Sequence, residues 1–392
     1  MNAFSGLCDA ILDAQGLCGG GAPEAPLRPV PRVGVAELEV QWSLDPTEGV
    51  AHLPLPPTVA RGAIKQRVAM KQQRAMKQQA VCVYLGEALG RYGFGGGHPF
   101  DAGRMRSFEE GAASAGVLPR VERREPAIAD RATIERFHTS AYVERVMRQS
   151  KTGEGYLDYG DTPAFPGAYD AAAAVVGSTV DAVHRLMRGD FRRAFVPIAG
   201  LHHARRDRAG GFCVFNDCGV AIEVLKADYR LGSIAYVDID AHHGDGVYYD
   251  FEDDPAVVYA DLHEDGRFLY PGTGAAEETG RGPALGTKLN IPMPPYSDEA
   301  AFRSAWPRVE AHLEKARPGF ILFQCGADSV AGDPLTHLQY SPACHTYAAA
   351  RLCTLADRFC EGRILGMGGG GYNHDNIAAA WSGVLRAFVE AG

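Results

Sequence analysis

One short segment concentrates residues that could do chemistry. From Asp238 to Gly246 the chain reads Asp-Ile-Asp-Ala-His-His-Gly-Asp-Gly, and the apolar run at 233–237 before it is typical of a buried strand. Unpaired carboxylates there would be costly to desolvate, whereas a divalent metal prefers anionic oxygen and neutral imidazole ligands. Side chains at i and i+2 of a strand share one face, so Asp240 and His242 are expected to bind one ion. The plainer interpretation, a solvated charged turn, is disfavoured by the paired histidines and glycines.

Further polar clusters follow predicted strands or lie in loops: His202-His203, His263, Tyr270, Asp328 and Tyr372. Together they fit hydrolysis of an amide. Asp240, His242 and Asp328 supply three metal ligands and leave a position for water and a carbonyl. A histidine beside the metal would act as general base and then acid, and Tyr372 would donate to the developing oxyanion. Each cluster alone has a structural interpretation, but their joint occurrence at successive strand ends disfavours it.

Composition restricts the class of protein. The chain has 392 residues, 46% of them hydrophobic, and a net charge of −9. No window is apolar enough to span a bilayer, and the acidic balance argues against nucleic acid, so neither membrane nor nucleic acid is an expected partner. The N-terminus lacks a secretory signal pattern. Nine irregularly spaced cysteines do not form a disulfide framework and indicate a reducing, cytoplasmic setting.

Alternating elements from residue 81 onward predict an α/β fold with a single open, mostly parallel sheet and helices on both faces. In such folds the chemistry lies at the carboxyl ends of the strands. The predicted strands are 193–198, 233–239, 256–262, 288–291, 320–324 and 363–367. The predicted helices are 168–187, 217–229, 298–316, 342–360 and 375–391.

The first 80 residues differ from the rest. Gly- and Pro-rich stretches predict an irregular N-terminal extension over 1–80, with a short strand at 33–42 and a basic helix at 61–80, followed by a catalytic domain over 81–392. The basic helix keeps no single apolar stripe. A solvated helix or an oligomer contact is therefore favoured over a membrane or nucleic-acid contact, and the extension is compatible with a homo-oligomer.

From about Val81 to the C-terminus the chain resembles the zinc-dependent histone deacetylase family, which has the arginase/deacetylase fold. The resemblance is carried by Gly-Leu-His-His-Ala at 200–204, Gly-Gly-Phe-Cys at 210–213, the segment at 238–246, Gln-Cys-Gly-Ala-Asp at 324–328 and Gly-Gly-Gly-Gly-Tyr-Asn at 368–373. The His-His-Gly-Asp-Gly form looks like the class I and bacterial acetoin-utilisation-type branch. Class II and acetylpolyamine enzymes usually carry Asn in place of Asp245.

This resemblance implies a metal set and a catalytic set. The metal set would bind one Zn²⁺ per chain through Asp240, His242 and Asp328. In the catalytic set, His203 would be the general base and acid, and His202 would act by electrostatics and by holding the water. Asp238 and Asp245 would orient these histidines. Tyr372 would polarise the acyl carbonyl.

The resemblance also implies a substrate-binding set: Asp161, Gly211, Phe212, Tyr270, Leu335 and Arg104. Asp161 would grip the substrate backbone, and Gly211 would contact the substrate chain. Phe212 and Tyr270 would wall the acyl-lysine tunnel, with Leu335 nearby. An internal arginine near the acetate exit corresponds to Arg104.

Two residues depart from the family pattern. Tyr270 stands where the family usually has Phe, so the tunnel wall gains a hydroxyl. The family's structural K⁺ site uses a Ser hydroxyl where this chain has Asp261, together with backbone carbonyls around Asp238, Asp240, His242 and Leu262. We expect K⁺ at this site nonetheless.

The leading hypothesis is Zn²⁺-dependent hydrolysis of the acyl amide of acetyl-lysine, or a related acyl-lysine, in a protein or peptide. Deacetylation of small amines such as acetylpolyamines is the alternative, against which Asp245 and Asp161 weigh. An arginase-like two-metal enzyme would need a bridging carboxylate where His202 and His203 stand. A non-catalytic acyl-lysine reader is disfavoured because all the ligands and Tyr372 are present.

Overall fold

The computed structural model describes residues 80–392. The predicted N-terminal extension, its strand at 33–42 and all but the last residue of its basic helix lie outside the described residues. The oligomer contact predicted for that extension lies outside them as well.

Eight strands form one sheet in which all neighbours are parallel. They are β1 (Val81–Tyr84), β2 (Glu122–Arg124), β3 (Arg193–Val196), β4 (Ile234–Asp238), β5 (Val257–Glu264), β6 (Lys288–Met293), β7 (Ile321–Gln324) and β8 (Ile364–Met367). The order is β2-β1-β3-β8-β7-β4-β5-β6. The six inner strands are buried at every residue, and only the edge strands β2 and β6 are partly exposed. Burial on both faces is the pattern of a parallel sheet covered by helices, so the predicted fold class is confirmed.

Ten α-helices connect and cover these strands within residues 80–392. They are α1 (Glu87–Gly90), α2 (Gly103–Ser114), α3 (Arg131–Ile134), α4 (Ser140–Thr152), α5 (Ala168–Arg188), α6 (Asp217–Tyr229), α7 (Asp245–Asp250), α8 (Glu299–Ala316), α9 (Pro342–Phe359) and α10 (His374–Glu390). None of the helices in this part of the chain is long and apolar enough to cross a membrane.

The predicted strands and long helices are found with ends shifted by at most two residues. The elements that the sequence did not predict are β1, β2 and helices α1–α4 and α7. β2 reads Glu-Arg-Arg and lies at the sheet edge, so it carries no apolar run. Its pairing with β1 is a tertiary contact that local pattern does not report.

Strand order gathers the polar clusters. β3, β8, β7, β4 and β5 are consecutive neighbours in the sheet, and each is followed by one cluster. Since all strands run in the same direction, their carboxyl ends meet at one edge. At that edge Asn373 caps the N-terminus of α10 and accepts the Asp375 N–H at 3.0 Å. Tyr372 lies between this cap and the glycine run at 368–371.

Candidate active site

Three potential metal ligands converge at the carboxyl edge of the sheet. One ligand atom each from Asp240, His242 and Asp328 lies within 4.8 Å of the others, and all three residues are buried. His242 Nδ1 is 3.1 Å from Asp240 Oδ1 and 3.0 Å from Asp328 Oδ2. Asp240 and His242 follow the end of β4, and Asp328 lies in a short 3-10 turn after the neighbouring strand β7.

Electrostatics at this cluster favours a cation. Two buried carboxylates share one imidazole nitrogen, and burial together with the neighbouring Asp240 raises the pKa of Asp328 to about 7. Burial opposes charge on His242, but its contacts with Asp240 and Asp328 outweigh this and raise the His242 pKa well above its usual range. Two carboxylates and one imidazole are a donor set that fits Zn²⁺ and leaves a fourth position open. Within residues 80–392 no second group of three such ligands is found, which gives the two-metal alternative no support.

Backbone and amide donors fix these ligands. Asp240 Oδ2 accepts from Gln324 Nε2 and from the Gly370 N–H, both at 2.8 Å. Asp328 Oδ1 accepts the Ala241 N–H at 2.9 Å. A Cβ at Gly370 would overlap the Asp328 carboxylate, so only glycine lets the backbone approach this closely. Donors that hold the remaining lone pairs preorganise the ligands.

Two histidine–carboxylate pairs stand beside the ligands. His202 Nδ1 is 2.8 Å from Asp238 Oδ2, and His203 Nδ1 is 2.7 Å from Asp245 Oδ1. The two Nε2 atoms are 3.1 Å apart. Because both Nδ1 atoms donate to carboxylates, at most one proton lies between the Nε2 atoms. Burial and the adjacent His202 lower the pKa of His203 to about 4, which leaves its Nε2 able to accept a proton.

The loop after β8 presents Tyr372 with a free hydroxyl. The Tyr372 N–H donates to Asp333 Oδ2 at 2.8 Å, and its hydroxyl makes no hydrogen bond within the described residues. Asp333 also accepts the Leu335 N–H at 3.0 Å, which places Leu335 beside this loop. Arg104 donates to the carbonyl oxygens of Gly371 at 2.8 Å and Gly369 at 2.5 Å. Arg104 therefore binds the backbone of the glycine run, and its buried Nη1 has no hydrogen-bond partner among residues 80–392.

Aromatic side chains stand on two sides of the site. The Phe212 ring packs on the Tyr372 ring at 5.9 Å, and the Tyr270 ring packs on His203 at 5.1 Å. Phe212 has φ 67°, and its N–H donates to Thr162 Oγ1 at 3.0 Å. At Gly211 a Cβ would overlap His203, so this glycine lets the chain pass directly over the imidazole.

Asp161 lies in the loop that supports Phe212. Asp158 Oδ1 accepts the N–H groups of Gly160, Asp161 and Thr162 at 2.9, 3.1 and 3.0 Å, which fixes the loop. Asp161 Oδ1 accepts from Thr162 Oγ1 at 2.9 Å. Burial and the neighbouring Asp158 raise the pKa of Asp161 to about 7. The loop thus brings a carboxyl group that ionises near neutral pH to the Phe212 side of the site.

One cavity brings together six of the predicted site residues: His202, His203, Gly211, Asp240, His242 and Tyr372. It is lined by Phe100, Gly200, Leu201, His202, His203, Gly211, Cys213, Asp240, His242, Gly369, Gly370 and Tyr372. Phe100, Gln324 and Asp333 also contribute to the site, although the sequence predicted no role for them. Gln324 lies at a strand end within the Gln-Cys-Gly-Ala-Asp segment, but an amide is not a typical metal ligand. Phe100 and Asp333 are brought in by loops with no periodic pattern.

Both carboxylate oxygens of Asp261, at the expected K⁺ site, already have hydrogen-bond donors within the protein. Asp261 Oδ1 is 2.8 Å from His263 Nδ1, and Asp261 Oδ2 accepts the Gly244 N–H at 2.9 Å and the Tyr259 hydroxyl. His263 Nε2 is 2.9 Å from the Gly274 carbonyl oxygen. Both ring nitrogens of His263 face acceptors, so both must carry hydrogen and the ring is an imidazolium. The Asp261 carboxylate is therefore already paired with a cation, the His263 imidazolium.

Comparison with known proteins agrees with this geometry. A model of the histone deacetylase domain matches residues 98–388. Acetoin utilization protein AcuC of Bacillus subtilis (strain 168) is 37% identical over 275 residues, covering 67% of this chain and 68% of that protein. AcuC of Staphylococcus xylosus is 30% identical over 317 residues, covering 78% and 82%. The crystal structure of the HDA15 HD domain matches with a TM-score of 0.73 at 28% identity, covering 79% of this chain and 88% of that one.

Proposed function

This chain belongs to the histone deacetylase family, and we propose that it hydrolyses the acyl amide of acetyl-lysine, or of a related acyl-lysine, in proteins, releasing the acid and free lysine. One observation carries the proposal. Asp240 and His242 of the buried Asp240–His242–Asp328 cluster line one cavity with a neutral histidine and with Tyr372, whose hydroxyl makes no hydrogen bond within residues 80–392. That is the set of groups that metal-assisted amide hydrolysis needs.

The residues divide the reaction between them. Asp240, His242 and Asp328 would hold one Zn²⁺, which when bound lowers the pKa of water and polarises a carbonyl. His203 Nε2 takes the proton of the attacking water and returns it to the leaving lysine nitrogen. Asp245, 2.7 Å from His203 Nδ1, fixes the tautomer and the ring orientation.

The remaining residues stabilise charge during the reaction or hold the lysine chain of the substrate. The Tyr372 hydroxyl donates a hydrogen bond to the developing oxyanion. It is available for this because it makes no hydrogen bond within residues 80–392. His202, fixed by Asp238, stabilises the charge that His203 acquires. Phe212 and Tyr270 flank the aliphatic part of the substrate, and Asp161 accepts a main-chain N–H at the entrance.

A second candidate substrate class is small acetylated amines. Asp158 and Asp161 lie next to each other at the entrance, and two carboxyl groups there would attract the ammonium group of an acetylpolyamine. Acetate release by the zinc-loaded protein from an acetyl-lysine peptide and from acetylputrescine tests both. Faster turnover of the peptide, abolished by a chelator, is expected. Turnover of acetylputrescine alone would favour the second candidate, and turnover of neither would refute both.

Several further properties are part of the proposal. We infer one Zn²⁺ per chain, a structural K⁺ near Asp261, a cytoplasmic setting and no contact with nucleic acid or membrane. The cysteines of residues 80–392 are free and buried, which is compatible with a reducing compartment.

A further inference from the structure

We propose that Tyr270 is a specificity residue whose hydroxyl donates a hydrogen bond to a main-chain carbonyl of the substrate, so that the site selects acyl-lysine within a peptide over an acylated free amine. This inference rests on the proposed function and names its substrate class. Tyr270 is one of the two residues at which this chain departs from the family pattern.

Tyr270 stands directly above the catalytic rings. Its ring is 5.1 Å from His203 at an interplanar angle of 77° and 6.4 Å from His242 at 62°. Its hydroxyl oxygen lies 3.4 Å from where a Cβ of Gly210 would be, and its ring edge lies 3.0 Å from where that of Gly211 would be. The phenol therefore extends over two residues without side chains, and nothing on them shields its hydroxyl from a bound substrate.

The hydroxyl has no hydrogen-bond partner within residues 80–392. The residue is 36% exposed, so most of its surface is already removed from water. Burial raises the pKa of Tyr270 well above its usual value, with Asp245 and Asp161 contributing. The group is therefore a neutral donor at any pH where the protein is assayed, and an acceptor on the substrate would satisfy it.

The structure of an acyl-lysine determines which acceptor can reach this hydroxyl. Its acyl amide must lie at the metal ligands, and four methylene groups follow that offer no acceptor. The next acceptors are the main-chain carbonyls of the lysine and its neighbours. An acylated diamine carries an ammonium donor at that end instead, which cannot accept from Tyr270.

The surroundings of the entrance favour a peptide as the occupant. Five of the seven exposed large hydrophobic side chains in residues 80–392 lie in loops at this edge: Tyr156, Tyr159, Phe268, Tyr270 and Tyr296. The loop of Tyr156 and Tyr159 supports the Phe212 N–H through Thr162. The loops of Phe268 and Tyr296 follow β5 and β6. Exposed apolar groups around one opening are typical of a surface that contacts a polypeptide.

The test compares two substrates that differ only in the main chain. One is an acetyl-lysine tripeptide with blocked ends, and the other is acetylcadaverine, which has the same aliphatic chain and acetamide. Tyr270→Phe keeps the ring and removes the hydroxyl, and Tyr347→Phe removes the hydroxyl of a partly buried tyrosine on α9, outside the cavity and the entrance, as a control. We expect Tyr270→Phe to lower kcat/KM about 3- to 10-fold on the tripeptide through KM, and to leave acetylcadaverine unchanged. Tyr347→Phe should change neither.

A third substrate locates the contact. Replacing the lysine carbonyl oxygen of the tripeptide by sulfur, a weaker acceptor in a neutral thioamide, should lower kcat/KM of the wild type and cost Tyr270→Phe nothing more. An equal loss on tripeptide and acetylcadaverine, or no loss on either, would overturn the inference while leaving the proposed reaction intact. A wild-type preference for acetylcadaverine over the tripeptide would contradict the claim that the site selects acyl-lysine within a peptide. Turnover of no substrate by the zinc-loaded wild type would overturn the proposed function and this inference together.

Discussion

Replacing Tyr372 by Phe should separate catalysis from folding. The Tyr372 hydroxyl makes no hydrogen bond within the described residues, and its ring is held by Phe100 at 6.4 Å and Phe212 at 5.9 Å. Phe keeps both ring contacts and the N–H bond to Asp333, so we expect stability to change by less than about 0.5 kcal/mol. Loss of one oxyanion donor raises the barrier by about 2.7–4 kcal/mol, which lowers kcat about 100- to 1000-fold.

The assay measures acetate release from an acetyl-lysine peptide at saturating substrate, together with zinc content and Tm. Tyr340→Phe is a matched control, because the Tyr340 hydroxyl likewise has no hydrogen-bond partner among residues 80–392, but Tyr340 packs on Phe302 at 4.9 Å and does not line the cavity. We expect this variant to have wild-type kcat and unchanged or slightly higher Tm.

One result would refute the reasoning. If Tyr372→Phe binds zinc normally and retains kcat within about threefold of wild type, the hydroxyl does not stabilise the oxyanion. A large loss of kcat with a large loss of Tm would contradict the assumption that only the hydroxyl matters. The Tyr340→Phe control shows whether removing a buried, unbonded hydroxyl has an effect of its own.

The other predictions concern the metal, the entrance and the glycine run. Chelation should abolish acetate release and lower Tm, and Zn²⁺ should restore both, because a ligand at a thousand times its Kd adds about 4 kcal/mol to the free energy of unfolding; unchanged Tm would contradict a bound metal. On a peptide, kcat/KM should rise from pH 6 to 8 as Asp161, with a pKa of about 7, ionises and accepts a main-chain N–H, and Asp161→Asn should flatten that rise. Arg104→Met should lower the free energy of unfolding in urea by about 3 kcal/mol, since two buried carbonyls lose a charged donor; a loss below about 1 kcal/mol would contradict this. Tm should be higher in KCl than in choline chloride if K⁺ binds as expected, and equal values would count against that site.

The sequence was sufficient for six of the eight strands and for the positions of the clusters. Strands buried on both faces can appear as apolar runs that are recognisable without knowledge of their neighbours. Parallel direction then implies that Asp240 and Asp328 meet at one edge. The strand order could not be predicted in the same way, because the pairing of β4 with β7 joins segments that β5, β6 and α8 separate along the chain. No local pattern encodes that pairing.

Groups that act through tertiary contacts were not predictable. Asp333 fixes the backbone of Tyr372 from a loop 39 residues away, and Phe100 reaches the cavity from the loop before α2. Neither lies at a strand end or in a periodic segment, which were the two signals available. Gln324 does lie at a strand end, but an amide is not a metal ligand of the expected type, and its bond to Asp240 becomes visible only in three dimensions.

An Asp-x-His spacing occurs twice at this edge with different results. In Asp240 and His242 the imidazole Nδ1 is shared with Asp328, so negative charge exceeds what one ring can balance. In Asp261 and His263 there is one carboxylate for one imidazolium, and backbone and tyrosine groups satisfy the remaining atoms. The first pair therefore needs an external cation, whereas the second is neutral without one. Spacing alone cannot distinguish these cases, because the deciding residue is a second carboxylate supplied by β7, and that depends on the order of strands.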